Sequence, residues 1–362
     1  MSQSMTGRRA LLLAALVVGF CWTTLPLAPL GRADAAVPTR LTDREFWTLI
    51  PTVSEPDGTF RSDNLLSNEL SFQHVISDLT RIAKPGRAYM GVGPEQNFTY
   101  IAALEPSMAF IVDVRRGNLH LHLLYKALFE LSADRAEFVS RLFSKKRPSG
   151  LSQKSTPWEI FEAYANVDPS ESLYSANMAE VRNQLITTHG FDLTADDVKG
   201  IEFVDRAFFT FGTGIQYSPI GLGGATTQPT YAELMAATDD RGRARSYLSS
   251  EEAFGLVKGL ERANLIVPVV GNFAGPKAIR AVGRYLRQKG TKVSAFYLSN
   301  VEEYLMRDGL WKSFCANVST LPIDDTSLFI RSLRTGSLAT ADALRSELGA
   351  MSESKNCESS AR

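Results

Sequence analysis

Apolar and polar positions alternate along the chain in two distinct rhythms. Short, nearly unbroken apolar or β-prone runs occur at Arg87 to Val92, Met108 to Val114, within Ile201 to Phe211, and at Leu265 to Val270, Val293 to Leu298, Ala316 to Leu321 and Ser327 to Leu333. Such runs predict strands buried on both faces, with Pro268 marking an irregularity in the fourth. Helical spacing lies between most of them, at 119–143, 249–263, 276–288 and 301–306. Strands alternating with helices predict an α/β fold, a doubly wound, mostly parallel sheet with helices on both faces. Only 322–326 link the last two runs, too few residues for a parallel crossover, so a C-terminal antiparallel hairpin is expected there.

Helix starts are marked by capping boxes at Thr42/Glu45, Thr156/Glu159, Thr230/Glu233, Ser249/Glu252 and Ser299/Glu302, with Pro157 and Pro276 suited to a first turn. The alternation organises the chain into an N-terminal helical segment at 36–84 and a main domain at 85–335. Residues 144–200 interrupt that domain and read as a helical insertion, opening on the solvated charge run Lys145-Lys146-Arg147. The glycine-rich stretch 212–229 is either a connection or a lid. Residues 336–362 read as a polar tail, and no internal repeat is present.

Residues 1–35 have the form of a cleavable signal peptide. Arg8 and Arg9 precede an apolar run interrupted by Pro26 and Pro29, and Ala33-Asp34-Ala35 offers small residues for cleavage before Ala36. A periplasmic or extracellular location is the expectation. Gly7 is a poor match to a twin-arginine signal, and Phe20 before Cys21 does not fit a lipoprotein. Cys315 and Cys357 remain after cleavage, and a disulfide framework is not indicated. No other segment is long and apolar enough to span a bilayer. The 362 residues carry 39 basic and 39 acidic side chains, so there is no global basic field for nucleic acid or acidic membranes.

The chemistry concentrates in Ala88-Tyr-Met-Gly-Val-Gly-Pro-Glu-Gln-Asn-Phe and in Met108-Ala-Phe-Ile-Val-Asp113. This reads as strand, glycine turn, helix, strand, acid. Gly91 and Gly93 permit a sharp turn and close approach of a ligand to the backbone. Asp113 stands where a carboxylate can accept ribose hydroxyls. Glu95, Gln96 and Asn97 form a polar cluster at the expected ligand crevice.

The stretch resembles motif I and the following acidic strand of Rossmann-fold S-adenosylmethionine-dependent methyltransferases of class I, over roughly 85–143 and 200–335. Gln96 replaces the third glycine of a dinucleotide-binding fingerprint. That replacement, with the expected terminal hairpin, disfavours a NAD-linked oxidoreductase. The resemblance implies S-adenosyl-L-methionine as cofactor. It places Gly91 and Gly93 at its methionine portion, Asp113 at the ribose, Asp205 after the third strand at the adenine, and Asn272 at motif IV after the fourth. Pro94, Glu95 and Gln96 are bulky where that family is small, and motif IV lacks its prolines. In overall layout the chain also resembles a group of exported bacterial proteins of unassigned function.

Each residue has a plainer alternative. The glycines can simply turn the chain, residues 95–97 can cap a helix, and Asp113 can cap the helix around Leu119 or pair with Arg115 or Arg116. His120 and His122 are two apart on a helix and do not face each other, so no metal site is expected. His74 and His189 read as structural, and no G-x-S-x-G elbow is present. Two functions remain: methyl transfer to an unknown acceptor, or a catalytically inactive extracytoplasmic binding or interaction protein on the same scaffold. Scarcity of this cofactor outside the cytoplasm weighs against the first as heavily as the motif supports it, and the bulky Pro94-Glu95-Gln96 turn fits the second. A small-molecule ligand is expected in either case, and a protein partner is undefined.

Overall fold

The computed structural model describes residues 36–217, 228–334 and 344–356. The expected signal peptide and most of the glycine-rich stretch 212–229 lie outside them. The strands are β1 (Ala88–Val92), β2 (Met108–Asp113), β3 (Ile266–Val270), β4 (Val293–Ser299), β5 (Leu328–Arg334) and β6 (Leu344–Ala350). They form one six-stranded sheet in the order β3-β2-β1-β4-β5-β6. The first five run parallel, and β6 pairs antiparallel with β5, Ile330 opposite Leu348. The chain therefore reverses its direction of winding between β1 and β4.

The helices are α1 (Asp43–Val53), α2 (Ile76–Ile82), α3 (Gln96–Leu104), α4 (Arg116–Leu131), α5 (Arg135–Leu142), α6 (Pro157–Ala165), α7 (Glu171–Arg182), α8 (Ala195–Phe211), α9 (Tyr231–Ala236), α10 (Glu251–Arg262), α11 (Ala278–Gln288), α12 (Val301–Arg307) and α13 (Trp311–Val318). Helices α3, α4 and α10 pack together on one side of the sheet, and α1, α11 and α13 on the other. Every residue of α4 from Asn118 to Phe129 is buried, because α8, which begins at the end of the expected insertion, covers its outer face. A helix enclosed this way loses its amphipathic stripe. No helix among the described residues is long and apolar enough to cross a membrane.

Two expected strands are helices. Ile201 to Phe211 belongs to α8, whose buried Ile201, Val204, Ala207 and Phe208 follow helical spacing. The exposed Phe203 and Phe211 fill the gaps and disguise that period as a continuous run. A capping box of Thr194 and Asp197 opens this helix; its acid is Asp rather than the usual Glu or Gln. Ala316 to Leu321 is the end of α13 and the turn after it, with Phe314, Cys315 and Val318 buried.

The terminal antiparallel pair exists one element later than expected, built from β5 and β6. Strand β6 lies in the stretch read as a polar tail. Its Leu344 and Ser346 face inward while Arg345 and Glu347 face out. A short edge strand carries little apolar signal. Cys315 is disulfide-bonded, where the sequence indicated no disulfide framework. Capping boxes form at Thr42, Thr156 and Thr230, whereas Ser250 rather than Ser249 caps α10. Asn300 stands at the N-cap of α12, in place of Ser299. Pro276 precedes Lys277, the N-cap of α11, and so lies outside its first turn.

Candidate functional site

A cavity of about 870 Å³ opens at the carboxyl ends of β1 to β4. Its wall includes Val92 to Pro94 after β1, Asp113 to Arg115 after β2, Asn272 and Phe273 after β3, and Tyr297 and Ser299 on β4. Residues of the 59–68 segment, Tyr217, α12, Arg334 and Leu344 complete it. In open α/β sheets, ligand crevices form outside the carboxyl ends of strands where the winding reverses.

The turn after β1 is fastened by Asn97. Its Nδ2 donates to the carbonyls of Val92 at 2.9 Å and Pro94 at 2.7 Å, while its Oδ1 accepts from the Tyr89 hydroxyl at 2.9 Å. A Cβ on Gly91 would sit 1.8 Å from that Oδ1, so this glycine makes room for Asn97. Gly93 is on the cavity wall with a φ of 74°. Its carbonyl accepts from His122 Nε2 at 2.9 Å. Burial pushes the His122 imidazole down to about 4, opposed by that bond and by Asp113, so the ring is neutral near pH 7. A carbonyl can only accept, which places the single ring proton on Nε2.

Glu95, Gln96 and Asn97, expected to face a ligand, are completely buried, and none of them is on the wall. Glu95 Oε1 accepts from the backbone N–H of Ser67 at 3.2 Å, and Oε2 has no partner among the described residues. Burial pushes the Glu95 carboxyl up to about 8, with the nearby Glu69 adding to the rise. Gln96 donates to Glu69 Oε2 and to the Tyr100 hydroxyl, both at 3.0 Å, and accepts from the Ser67 hydroxyl. The cluster turns inward because α3 starts at Gln96 and directs its first turn onto the segment that precedes β1.

Asp113 reaches the wall, yet Arg115 engages both its oxygens. The Arg115 backbone N–H and Nε donate to Oδ1 at 2.9 Å, and Nη2 donates to Oδ2 at 2.8 Å. Arg115 also donates to the carbonyls of Ser62 and Asp63, tying the 59–68 segment down. Asn272 is on the wall as expected. It follows the third strand in chain order rather than the fourth, so Ser299 and Asn300 occupy the position after the fourth. Asp205, expected at the adenine, is on α8, 1% exposed and off the wall. Burial pushes its carboxyl up to about 7. The misplaced third strand accounts for both shifts.

Sequence reasoning missed the residues before β1. Residues 54–58 lie across the ends of β2 and β3, with Glu55 N–H on the Val270 carbonyl at 2.7 Å and Gly58 N–H on Val114 at 2.9 Å. The Glu55 carboxylate accepts from the backbone N–H groups of Asn272, Lys277 and Ala278 at 3.1, 2.7 and 2.8 Å. Asp57 accepts from the N–H of Arg116 at 2.6 Å. The chain's own acids thus serve the N-termini of α11 and α4, whose free N–H groups would otherwise favour an anion. Nothing local in Ser54-Glu-Pro-Asp-Gly58 signals this role, since the partners are distant in sequence. Glu69, Tyr297 and Ser299 were missed for the same reason.

A family model matches residues 65–186 and 224–356. The chain belongs to the DUF7790 family. That family is described as a domain of unknown function. The DUF7790 match carries all six strands, and the 54–58 segment precedes it. No curated protein matches the chain.

Proposed function

We propose that this chain is an exported protein with a methyltransferase-like domain whose cavity takes an S-adenosylmethionine-type ligand and transfers its methyl group to an acceptor. The observation that carries the reading is the cavity itself. It stands where the winding reverses, with Gly93, Asp113 and Asn272 among the residues that line it. An antiparallel strand beside β5, ending an otherwise parallel series, agrees with it. Export is supported by the signal-like N-terminus and by disulfide-bonded Cys315, since such bonds persist in oxidising compartments.

A second reading is a catalytically inactive binding protein on the same scaffold. The Asp113–Arg115 pair favours it, because a carboxylate already serving a guanidinium offers less to a ribose.

Calorimetric titration of residues 36–362 with S-adenosylmethionine, S-adenosylhomocysteine and NAD tests both. Binding of the first two, weakened by Asp113→Asn and Asn272→Ala, with none of NAD, is the expected result. No binding by folded protein sinks the ligand assignment. Binding without conversion to S-adenosylhomocysteine, when extracellular fractions are supplied as acceptor, selects the second reading.

A further inference from the structure

Buried acids in this protein follow two courses. Asp113, Asp197, Asp239 and Glu130 have basic partners: Arg115; Arg116 and His120; Arg243 and Arg245; Lys126 and His189. Glu95, Glu261 and Asp205 have no ion pair among the described residues, and burial raises them to about 8, 8 and 7, which favours the neutral acid. Glu69 is 1% exposed and is held in a third way. Three donors converge on it: the Tyr297 hydroxyl on Oε1 at 2.8 Å, the Ser299 hydroxyl on the same oxygen, and Gln96 Nε2 on Oε2 at 3.0 Å. Among the described residues no lysine, arginine or histidine pairs with its carboxylate, and that carboxylate has no further hydrogen-bond partner. Donors alone surround this carboxylate, and a buried carboxylate with no cation beside it is costly.

The two hydroxyls connect this charge to the cavity. Tyr297 and Ser299 are two residues apart on β4, and both are on the cavity wall. Each commits its proton to Glu69, so each oxygen has only lone pairs left to offer a ligand. Ser67, also on the wall, likewise commits its proton inward, to Gln96. Ser299 holds a φ of 52°, an unusual conformation for a residue with a side chain. The floor between β1 and β4 is therefore lined by acceptors and backed by a negative charge. A primary ammonium, with its three N–H donors and its positive charge, is the complement.

We propose that this floor is the subsite for a protonated amine of the ligand, with Glu69 as its buried counter-charge and Tyr297 and Ser299 as the contacting acceptors. The inference deepens the reading above, on which the first pair of probes rests. In titrations of residues 36–362, S-adenosylhomocysteine binds roughly tenfold or more tightly than its analogue lacking the α-amino group. Glu69→Gln removes most of that difference. If Glu69→Gln does not fold, the double variant Tyr297→Phe/Ser299→Ala, which keeps the carboxylate, does the same. Equal binding of the two compounds by the wild-type protein overturns the subsite and leaves the proposed function standing. If neither compound binds, the proposed function falls, and the subsite is decided by L-methionine and putrescine in thermal melts. A rise in Tm that the same variants abolish sustains it, and no rise with either amine overturns it.

Discussion

Gly91 and Gly93 stand two residues apart and are glycine for different reasons. A methyl group at 91 collides with the Asn97 amide that fastens the turn, whereas a methyl group at 93 meets open space but strains the backbone. Gly91→Ala should destabilise by about 3 kcal/mol or more, as overpacking and loss of the Asn97 bonds combine. Gly93→Ala should cost about 1–2 kcal/mol, the penalty of a left-handed residue. Urea denaturation ranks the two, and equal losses would contradict the assignment. Asp205 offers a second test. Burial raises its folded value to about 7, from an ordinary 3.8, with Arg206 opposing. The unfolded chain therefore releases this proton first, and stability falls as pH rises between those values. Asp205→Asn should raise Tm at pH 8, leave it unchanged near pH 3, and leave ligand binding untouched. Residues near the first glycine turn were legible because their spacing is local. The direction of the Glu95 and Gln96 side chains was not, since it depends on Ser67 and Glu69 of the segment packed against them.

At the scale of elements, His189 joins three pieces of the fold. Its ring bonds Asp43 of α1 at 2.8 Å and Glu130 of α4 at 2.6 Å, from the turn that follows α7. Burial alone would lower this imidazole, but the hydrogen bond and charge of Glu130, with the bond to Asp43, hold it above its ordinary 6.5. Its contribution to stability is complete below that ordinary value and is lost as pH rises through the elevated one. Thermal melts should show Tm declining over that window, and His189→Gln should flatten the decline. The box at the start of α8 predicts a further loss. Thr194→Ala should cost about 1 kcal/mol by chemical denaturation. Three capping boxes were readable as Thr-x-x-Glu, and this one escaped because an Asp completes it. Strands β1 to β4 were likewise readable as apolar runs. The helix α8 was not, because the exposed Phe203 and Phe211 erase its helical period, and α13 was not, because the misread run Ala316 to Leu321 spans only the end of that helix and the turn after it.

For the whole molecule, the sequence pattern foretold an α/β architecture with a terminal antiparallel pair, but not the elements that supply it. The edge strand β6 is half polar, and its pairing with β5 is long-range. The bridge at Cys315 belongs to the same scale, since its effect is on the freedom of the unfolded chain. Reduction under native conditions should lower stability by about 2–4 kcal/mol, and Cys315→Ser should make the protein insensitive to reductant. Unchanged melts in dithiothreitol would show that the bridge carries no stability.

The segment that lies across β2 and β3 also sets the order of events in folding. Glu55 and the Lys277 N–H that it accepts are 222 positions apart. A nascent chain presents the acid long before its receptor exists, and closing so long a loop is slow relative to local contacts. The sheet can assemble with the N-termini of α4 and α11 still bare, and the acids dock afterwards. Competence to hold a ligand should therefore emerge in the last kinetic phase of refolding, after the secondary structure has reached its final signal.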